Sequence, residues 1–296
     1  MGSSEVTGDI YEVKHIKRYR ELFESGTTLT PEQINWLDKC TRGTWEFNSQ
    51  TGLVDVDWNF NCSEQNLGGF KGVRFGKVTG DFSCENNSLV SLEGAPQEVR
   101  GNFSCGHNPL TSLEGAPQEV GGGFYCHLNS LVSLEGAPQK VGGSFYCDRN
   151  SLVSLEGAPQ EVRGDFSCDR NSLVSLEGSP QEVEASFSCS HNSLVSLEGA
   201  PQKVGGGFYC DSNSLVSLEG APQKVGGVFS CRYNPVSVTT LKKMIWNKME
   251  SGLSYSEALK RLATDIPKED WDLLDKSGLE VSDKFLRGAS VLRRFL

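Results

Sequence analysis

Ten cysteines are the side chains of this 296-residue sequence most able to do chemistry, since thiols form disulfides and, with histidines, bind zinc. Eight of them recur at an interval of 21 residues: Cys84, Cys105, Cys126, Cys147, Cys168, Cys189, Cys210 and Cys231. The C-x-x-C pairs and Cys/His groups of redox and zinc sites are missing. One Cys per interval, two residues after a Phe, instead predicts a small buried apolar side chain in a reducing compartment.

Other catalytic patterns are also missing from the sequence. Its four histidines, His15, His107, His127 and His191, form no H-E-x-x-H motif, and neither a G-x-S-x-G elbow nor a Walker loop occurs. The Gly-Gly-Gly runs at 121–123 and 205–207 could cradle a phosphate, but no helical pattern follows them. We therefore expect a protein that is not an enzyme and that uses neither a cofactor nor a metal.

The charge of the chain argues against binding along a nucleic-acid backbone. Lys and Arg number 28 against 38 Asp and Glu, a net charge of −10, of which residues 59–238 carry −8. No apolar run is long enough to span a membrane, and the first residues do not form a signal peptide. These features predict a cytoplasmic protein.

A repeat dominates the sequence. Phe-x-Cys-x-x-Asn recurs eight times with an almost constant linker, and an irregular copy runs from Phe60 to Val78. The alternation in Phe145-Tyr146-Cys147 predicts a short strand with Phe and Cys buried and Tyr outward. Asn150 is placed to satisfy backbone groups of its own turn and of the neighbouring one. No unit can bury its own apolar residues, so the units must stack.

The run Phe-x-Cys-x-x-Asn-x-Leu-x-x-Leu resembles the second half of the leucine-rich repeat consensus, and its period resembles the short bacterial and phage-like type. The resemblance covers about residues 56–238, with Val-Gly replacing the first consensus Leu. It implies an α/β solenoid with a curved parallel sheet, and it implies no activity.

The two ends differ from the repeats. Residues 1–58 are interpreted as an N-terminal helical cap, with Ile16, Tyr19 and Phe23 on one helical face, a helix start at Thr30-Pro31, and strand-like alternation around residues 45–47 and 54–56. Residues 59–238 are then the solenoid, and residues 239–296 a C-terminal helical domain. The segment near 284–295 is cationic and amphipathic, which suits a packed terminal helix or a contact with a membrane or partner.

The candidate site is the set of outward positions that differ between copies. Three columns vary: the residue between Phe and Cys, the residue after Cys, and the next one. Their richest part predicts a partner-binding surface: Tyr125, His127, Tyr146, Asp148, Arg149, Asp169, Arg170 and Tyr209. Drift of exposed positions is the alternative, although aromatic and Arg side chains are typical of interface centres. We expect Asp148 and Asp169 to lie about 5 Å apart, with their charges neutralised by the adjacent arginines rather than by a metal.

Three functions remain open. The first is a non-catalytic module that binds another protein through the concave face of the repeats. The second is an acidic, phage-encoded inhibitor of a host defence or nucleic-acid-binding protein. The third is a scaffold that orients the C-terminal helices.

Overall fold

Residues 29–235 are described by the computed structural model, and they form a parallel β-solenoid with a repeat of 21 residues. The predicted solenoid architecture is therefore confirmed. The helix predicted over 8–25 and the helical domain predicted over 239–296 lie outside the described residues.

The described part begins with helix α1, Pro31–Cys40. Thr30 caps it: the Gln33 backbone N–H donates to Thr30 Oγ1 (3.3 Å), and the Thr30 N–H donates to Gln33 Oε1 (2.7 Å). Pro31 fits the first turn because a backbone N–H at that position would have no acceptor within the helix, so its absence costs no hydrogen bond. The predicted helix start is confirmed.

A hairpin follows the helix and begins the sheet. Strand β1, Thr41–Asn48, pairs antiparallel with β2, Leu53–Asn61. The indole of Trp36 on α1 lies edge-on to Phe60 of β2, with ring centroids 5.3 Å apart. Helix α1 thus packs on the first phenylalanine of the solenoid core.

Each coil contributes two short parallel strands, which align into two ladders that both start at β2. The valine ladder continues through β3 (Phe75–Val78), β5 (Glu98–Val99), β7 (Glu119–Val120), β9 (Lys140–Val141), β11 (Glu161–Val162), β13 (Glu182–Val183), β15 (Lys203–Val204) and β17 (Lys224–Val225). The phenylalanine ladder continues through β4 (Phe82–Ser83), β6 (Phe103–Ser104), β8 (Phe124–Tyr125), β10 (Phe145–Tyr146), β12 (Phe166–Ser167), β14 (Phe187–Ser188), β16 (Phe208–Tyr209) and β18 (Phe229–Ser230).

The core is a column of stacked aromatic rings flanked by aliphatic columns. From Phe60 to Phe229, rings of neighbouring coils stack with centroids 5.2–5.7 Å apart. Such pairs stabilise by about 0.5–1.5 kcal/mol each beyond the area that they bury. The cysteines lie beside this column, buried and without disulfides, as predicted.

The asparagines join the coils through hydrogen bonds, which confirms the predicted ladder. Asn150 Nδ2 donates to the carbonyl of Cys147 in its own coil (3.0 Å) and of Cys126 in the preceding coil (3.1 Å). Its Oδ1 accepts from the Leu131 N–H (3.0 Å). One side chain thus satisfies buried backbone groups that the strands do not pair.

One expectation about the repeats is wrong. Within residues 29–235 the one helix is α1, so the α/β class does not describe the repeats: Gly94, with a φ of +88°, turns the chain two residues after the second buried Leu. The third variable column lies in the turn that follows each strand of the phenylalanine ladder. Its residues adopt left-handed backbone conformations with φ between +52° and +58°: Asn86, His107, Leu128, Arg149, Arg170, His191, Ser212 and Tyr233.

Candidate binding surface

The first two variable columns lie side by side along the phenylalanine ladder, and we call the surface that they form with the adjoining turn residues the variable face. Strand register fixes its order, since Tyr125 pairs with Ser104 on one side and with Tyr146 on the other, and Tyr146 pairs with Ser167. The predicted residues from Tyr125 to Arg170 therefore occupy three consecutive coils, whereas Tyr209 lies two coils further along.

The strand tyrosines of the variable face, Tyr125, Tyr146 and Tyr209, are half-buried and lie along the sheet. The rings of Tyr125 and Tyr146 are in contact, with centroids 5.4 Å apart. Burial raises the pKa of the Tyr125 phenol. The Tyr146 hydroxyl lies 3.4 Å from Asp165 Oδ2, while Tyr125 folds over Gly123.

A polar ladder missed by sequence reasoning explains where two of these tyrosines, Tyr125 and Tyr209, occur. It runs along the position directly before the Phe of each coil, where a side-chain oxygen accepts the N–H of the equivalent residue in the next coil. Asn102 Oδ1, for example, accepts from the Gly123 N–H at 2.7 Å. Five more hydrogen bonds of this kind follow, each given as the backbone N–H donor and then the side-chain acceptor: Asp81 to Asn59, Asn102 to Asp81, Asp165 to Ser144, Ser186 to Asp165 and Gly207 to Ser186.

Gly123 and Gly207 interrupt the polar ladder because they carry no side-chain acceptor. Each is followed two residues later by a tyrosine, Tyr125 or Tyr209, whose hydroxyl lies over the glycine. The Gly-Phe-Tyr sequence was the signal that could have revealed this arrangement. Part of the tyrosine content of the variable face therefore has a packing explanation.

The carboxylate of Asp169 accepts two hydrogen bonds from the following coil. Its Oδ1 accepts from the Ser188 hydroxyl and from the Ser190 N–H, both at 2.6 Å. Asp211 has the same arrangement with the Ser230 hydroxyl and the Arg232 N–H. Burial is the main cause that raises the pKa of Asp169, and the charge of Asp148 raises it further.

The expected neutralisation of these aspartates by arginines is wrong. Within residues 29–235, neither Arg149 nor Arg170 forms an ion pair with Asp148 or Asp169. Both arginines are exposed in the left-handed turn before the asparagine. The geometry thus leaves two guanidinium groups available at the edge of the variable face.

His127 is also engaged within the solenoid. Its ring lies over Gly106 of the preceding coil, where a β-carbon would be 2.9 Å from His127 Cε1, and it meets the ring of His107 edge-on with centroids 5.5 Å apart. The described residues contain no cluster of three or more His, Cys, Asp or Glu side chains able to hold a metal ion.

A second surface lies between the asparagine and the Gly-Pro turn of each coil. It carries a column of exposed valines and, three residues further on, a column of exposed glutamates. We call it the Val–Glu face. Its valines are Val90, Val132, Val153, Val174, Val195 and Val216, with Thr111 in the second coil. Its glutamates are Glu93, Glu114, Glu135, Glu156, Glu177, Glu198 and Glu219.

No protein-family model matches the chain, and no curated protein shows significant similarity to it. Across residues 29–235, no helix has the length and apolar character required to cross a membrane.

Proposed function

We propose that this chain is a non-catalytic binding protein related to the leucine-rich repeat proteins, and that its variable face contacts another protein. The observation that carries the proposal is the location of sequence variation. The segment from the second Ser to the Gln of each linker is nearly identical between copies, whereas the outward positions around Phe and Cys differ and align by strand register into neighbouring columns. Solenoid binding proteins typically keep the framework residues of their repeats constant, while the exposed residues of the binding surface differ from repeat to repeat.

The contacts described above divide the predicted site residues into two roles. Tyr146, Arg149 and Arg170 are assigned to direct contact, because the arginines are exposed and the tyrosine ring is partly exposed beside them. Aromatic and Arg side chains supply much of the energy in protein interfaces. Asp169 and His127, which are engaged with neighbouring coils, are assigned to supporting the surface.

The rigidity of the solenoid supports recognition by a surface formed in advance. Strand pairs, phenylalanine stacking and the Asn ladder connect each coil to the next, so the variable face needs little ordering upon binding. A cytoplasmic location and an absence of nucleic-acid binding form part of this proposal, given the acidic charge.

Affinity capture from lysate of the source organism tests the proposal. The full chain is compared with a variant carrying Tyr125→Ala, Tyr146→Ala, Arg149→Ala and Arg170→Ala. A matched control carries Lys140→Ala, Gln160→Ala and Glu161→Ala, on the valine-ladder side of the coils. A partner kept by the control and lost by the first variant supports the proposal, provided that both variants unfold at the same temperature as the parent.

Two other outcomes would favour the remaining functions. A partner whose binding weakens equally with any loss of acidic charge, and strongly with added salt, would indicate the acidic inhibitor. A partner that neither variant affects would indicate a scaffold, with binding assigned to residues 239–296.

A further inference from the structure

We propose that residues 284–295 of this same chain dock on the Val–Glu face. This inference is independent of the variable face, since it concerns a different surface and an occupant within the chain. It rests on an apolar column, an acidic column and the composition of one segment.

The apolar column is continuous. Five consecutive coils place a valine at the same position, each between 54 and 61% exposed: Val132, Val153, Val174, Val195 and Val216. Backbone hydrogen bonds at this position stack the coils directly, as in Val174 N–H to Val153 O (3.4 Å) and Val216 N–H to Val195 O (3.2 Å). Since parallel strands are spaced about 4.8 Å apart, the run is about 19 Å long. Contiguous apolar surface of this kind is typical of interaction sites.

The acidic column runs beside the valines. All seven glutamates are exposed, and in five of them the backbone N–H donates to a Ser hydroxyl two residues earlier, as in Glu177 N–H to Ser175 Oγ (3.0 Å). Stacking is direct here too, because the Leu155 N–H donates to the Glu177 carbonyl (3.2 Å). None of the seven forms an ion pair within the described part of the chain. Their spacing of about 5 Å is shorter than the Debye length at physiological salt, so they repel one another.

A second charged column shows that the fold does not require such repulsion. Along the valine ladder, where both Lys and Glu occur, three pairs of opposite charge form between neighbouring coils: Lys77 with Glu98 (2.7 Å), Lys140 with Glu161 (2.8 Å) and Lys203 with Glu182 (3.3 Å). The copies carry either Lys or Glu at that position of the valine ladder, but all seven copies carry Glu in the acidic column of the Val–Glu face. A cationic partner would neutralise the column of glutamates on the Val–Glu face.

Residues 284–295 have the complementary composition. The segment contains Lys284, Arg287, Arg293 and Arg294, no acidic residue, and the apolar Phe285, Leu286, Val291, Leu292 and Phe295. Twelve residues in an α-helix extend about 18 Å, close to the length of the valine run. The residues from 236 to 283 provide far more chain than is needed to reach any part of the Val–Glu face.

Disulfide trapping in the full chain tests the docking, because the ten native thiols are buried and react slowly. Val174→Cys is combined with Leu286→Cys, and the matched control combines Arg163→Cys, an exposed site in the same coil, with Leu286→Cys. Under mild oxidation in dilute solution, we expect the Val174 pair to form an intramolecular disulfide about tenfold faster than the control, owing to a higher effective concentration. Peptide mass analysis after blocking of free thiols identifies the bond.

Charge variants show whether the glutamates take part. Glu156→Gln, Glu177→Gln and Glu198→Gln together should slow trapping about tenfold at low salt, whereas Glu119→Gln, Glu161→Gln and Glu182→Gln, with the same charge change, should not. Equal rates for the Val174 and Arg163 pairs would overturn the proposal, and so would equal effects of the two triple variants. A disulfide-linked dimer would assign the Val–Glu face to a second copy and would also overturn it.

Discussion

The hydroxyl of Tyr125 lies over Gly123, in the volume that a β-carbon at residue 123 would occupy. Tyr209 and Gly207 repeat the arrangement, where the added β-carbon would be 2.5 Å from the phenol oxygen. Glycine at the corner and tyrosine on the strand therefore form a structural pair, which makes a specific prediction.

Gly123→Asn alone should destabilise the protein, since Tyr125 fills the space of the new side chain. In a Tyr125→Ser background the same change recreates the Asn-Phe-Ser sequence of residues 102–104, and the new amide can accept the Ser144 N–H. We expect a coupling free energy of about 1–3 kcal/mol between the two sites in a double-mutant cycle by urea unfolding. Additive effects would contradict the packing of Tyr125 over Gly123.

Asn150→Ala should lower the free energy of unfolding by about 2–3 kcal/mol, because it leaves the Leu131 N–H without its acceptor and removes one of the two Asn donors at the carbonyls of Cys126 and Cys147. Ser151→Ala, at the next and exposed position, is the control and should change it by less than about 0.5 kcal/mol. Similar effects of the two changes would argue against the Asn ladder.

Phe145→Ala should cost about 3–5 kcal/mol, because the ring is fully buried between Phe124 and Phe166 and its loss leaves a cavity. Tyr146→Ala should cost about 1 kcal/mol or less, as it removes one ring contact on a half-buried face. Chemical denaturation of both variants measures the difference. A reversed order would mean that the strand register is wrong.

Asp169→Asn should stabilise the protein at neutral pH. The pKa of Asp169 is raised in the folded state, so its ionisation opposes folding above that pKa, and the penalty disappears below the ordinary Asp range of about 4. An amide oxygen can still accept from the Ser188 hydroxyl and the Ser190 N–H. The gain in unfolding temperature should therefore be largest near pH 7 and shrink as the pH falls.

Asp211→Asn is the matched control for that measurement. Asp211 accepts the same two kinds of hydrogen bond, but its neighbour in the preceding coil is Ser190, whereas Asp169 lies beside Asp148. We expect a smaller gain at pH 7 for this variant. An equal gain would show that the charge of Asp148 contributes nothing.

The thiols should react only after unfolding. Burial raises the pKa of the thiols of Cys84, Cys126, Cys147, Cys168, Cys189 and Cys210 well above the ordinary value. A thiol-specific chromogenic reagent at pH 8 should therefore modify the native protein slowly and all ten thiols at once in denaturant, since the thiolate is the reactive form. Fast modification of the native protein would contradict the packing of the cysteine column.

The repeat, its strands and the Asn ladder could be predicted because a period of 21 residues repeats each requirement eight times. A Phe and a Cys two residues apart must share one side of a strand, and an Asn in a buried turn must find backbone partners. The stacking then follows from the need to bury these groups.

The pairing of the variable residues could not be predicted, because it joins one coil to the next rather than neighbours in sequence. The sequence predicts a contact between Asp169 and an adjacent arginine, whereas Asp169 accepts from the Ser188 hydroxyl, 19 residues away. The left-handed turn before each Asn could not be predicted because five residue types other than Gly or Asn occupy it, and of these only His is enriched in that backbone conformation.

Because neighbouring coils contact one another through the same groups at every boundary, one copy of the repeat can be added or removed without changing those contacts. A chain that lacks residues 151–171 would rejoin one copy of the linker to another, and both ladders, the Asn column and the phenylalanine stack would meet across the junction with the same groups. Gain or loss of one copy changes the length of the protein by a step of about 4.8 Å. Each step also adds or removes one glutamate of the acidic column. Variants with different numbers of coils would therefore differ stepwise in the length of the Val–Glu face and in its negative charge.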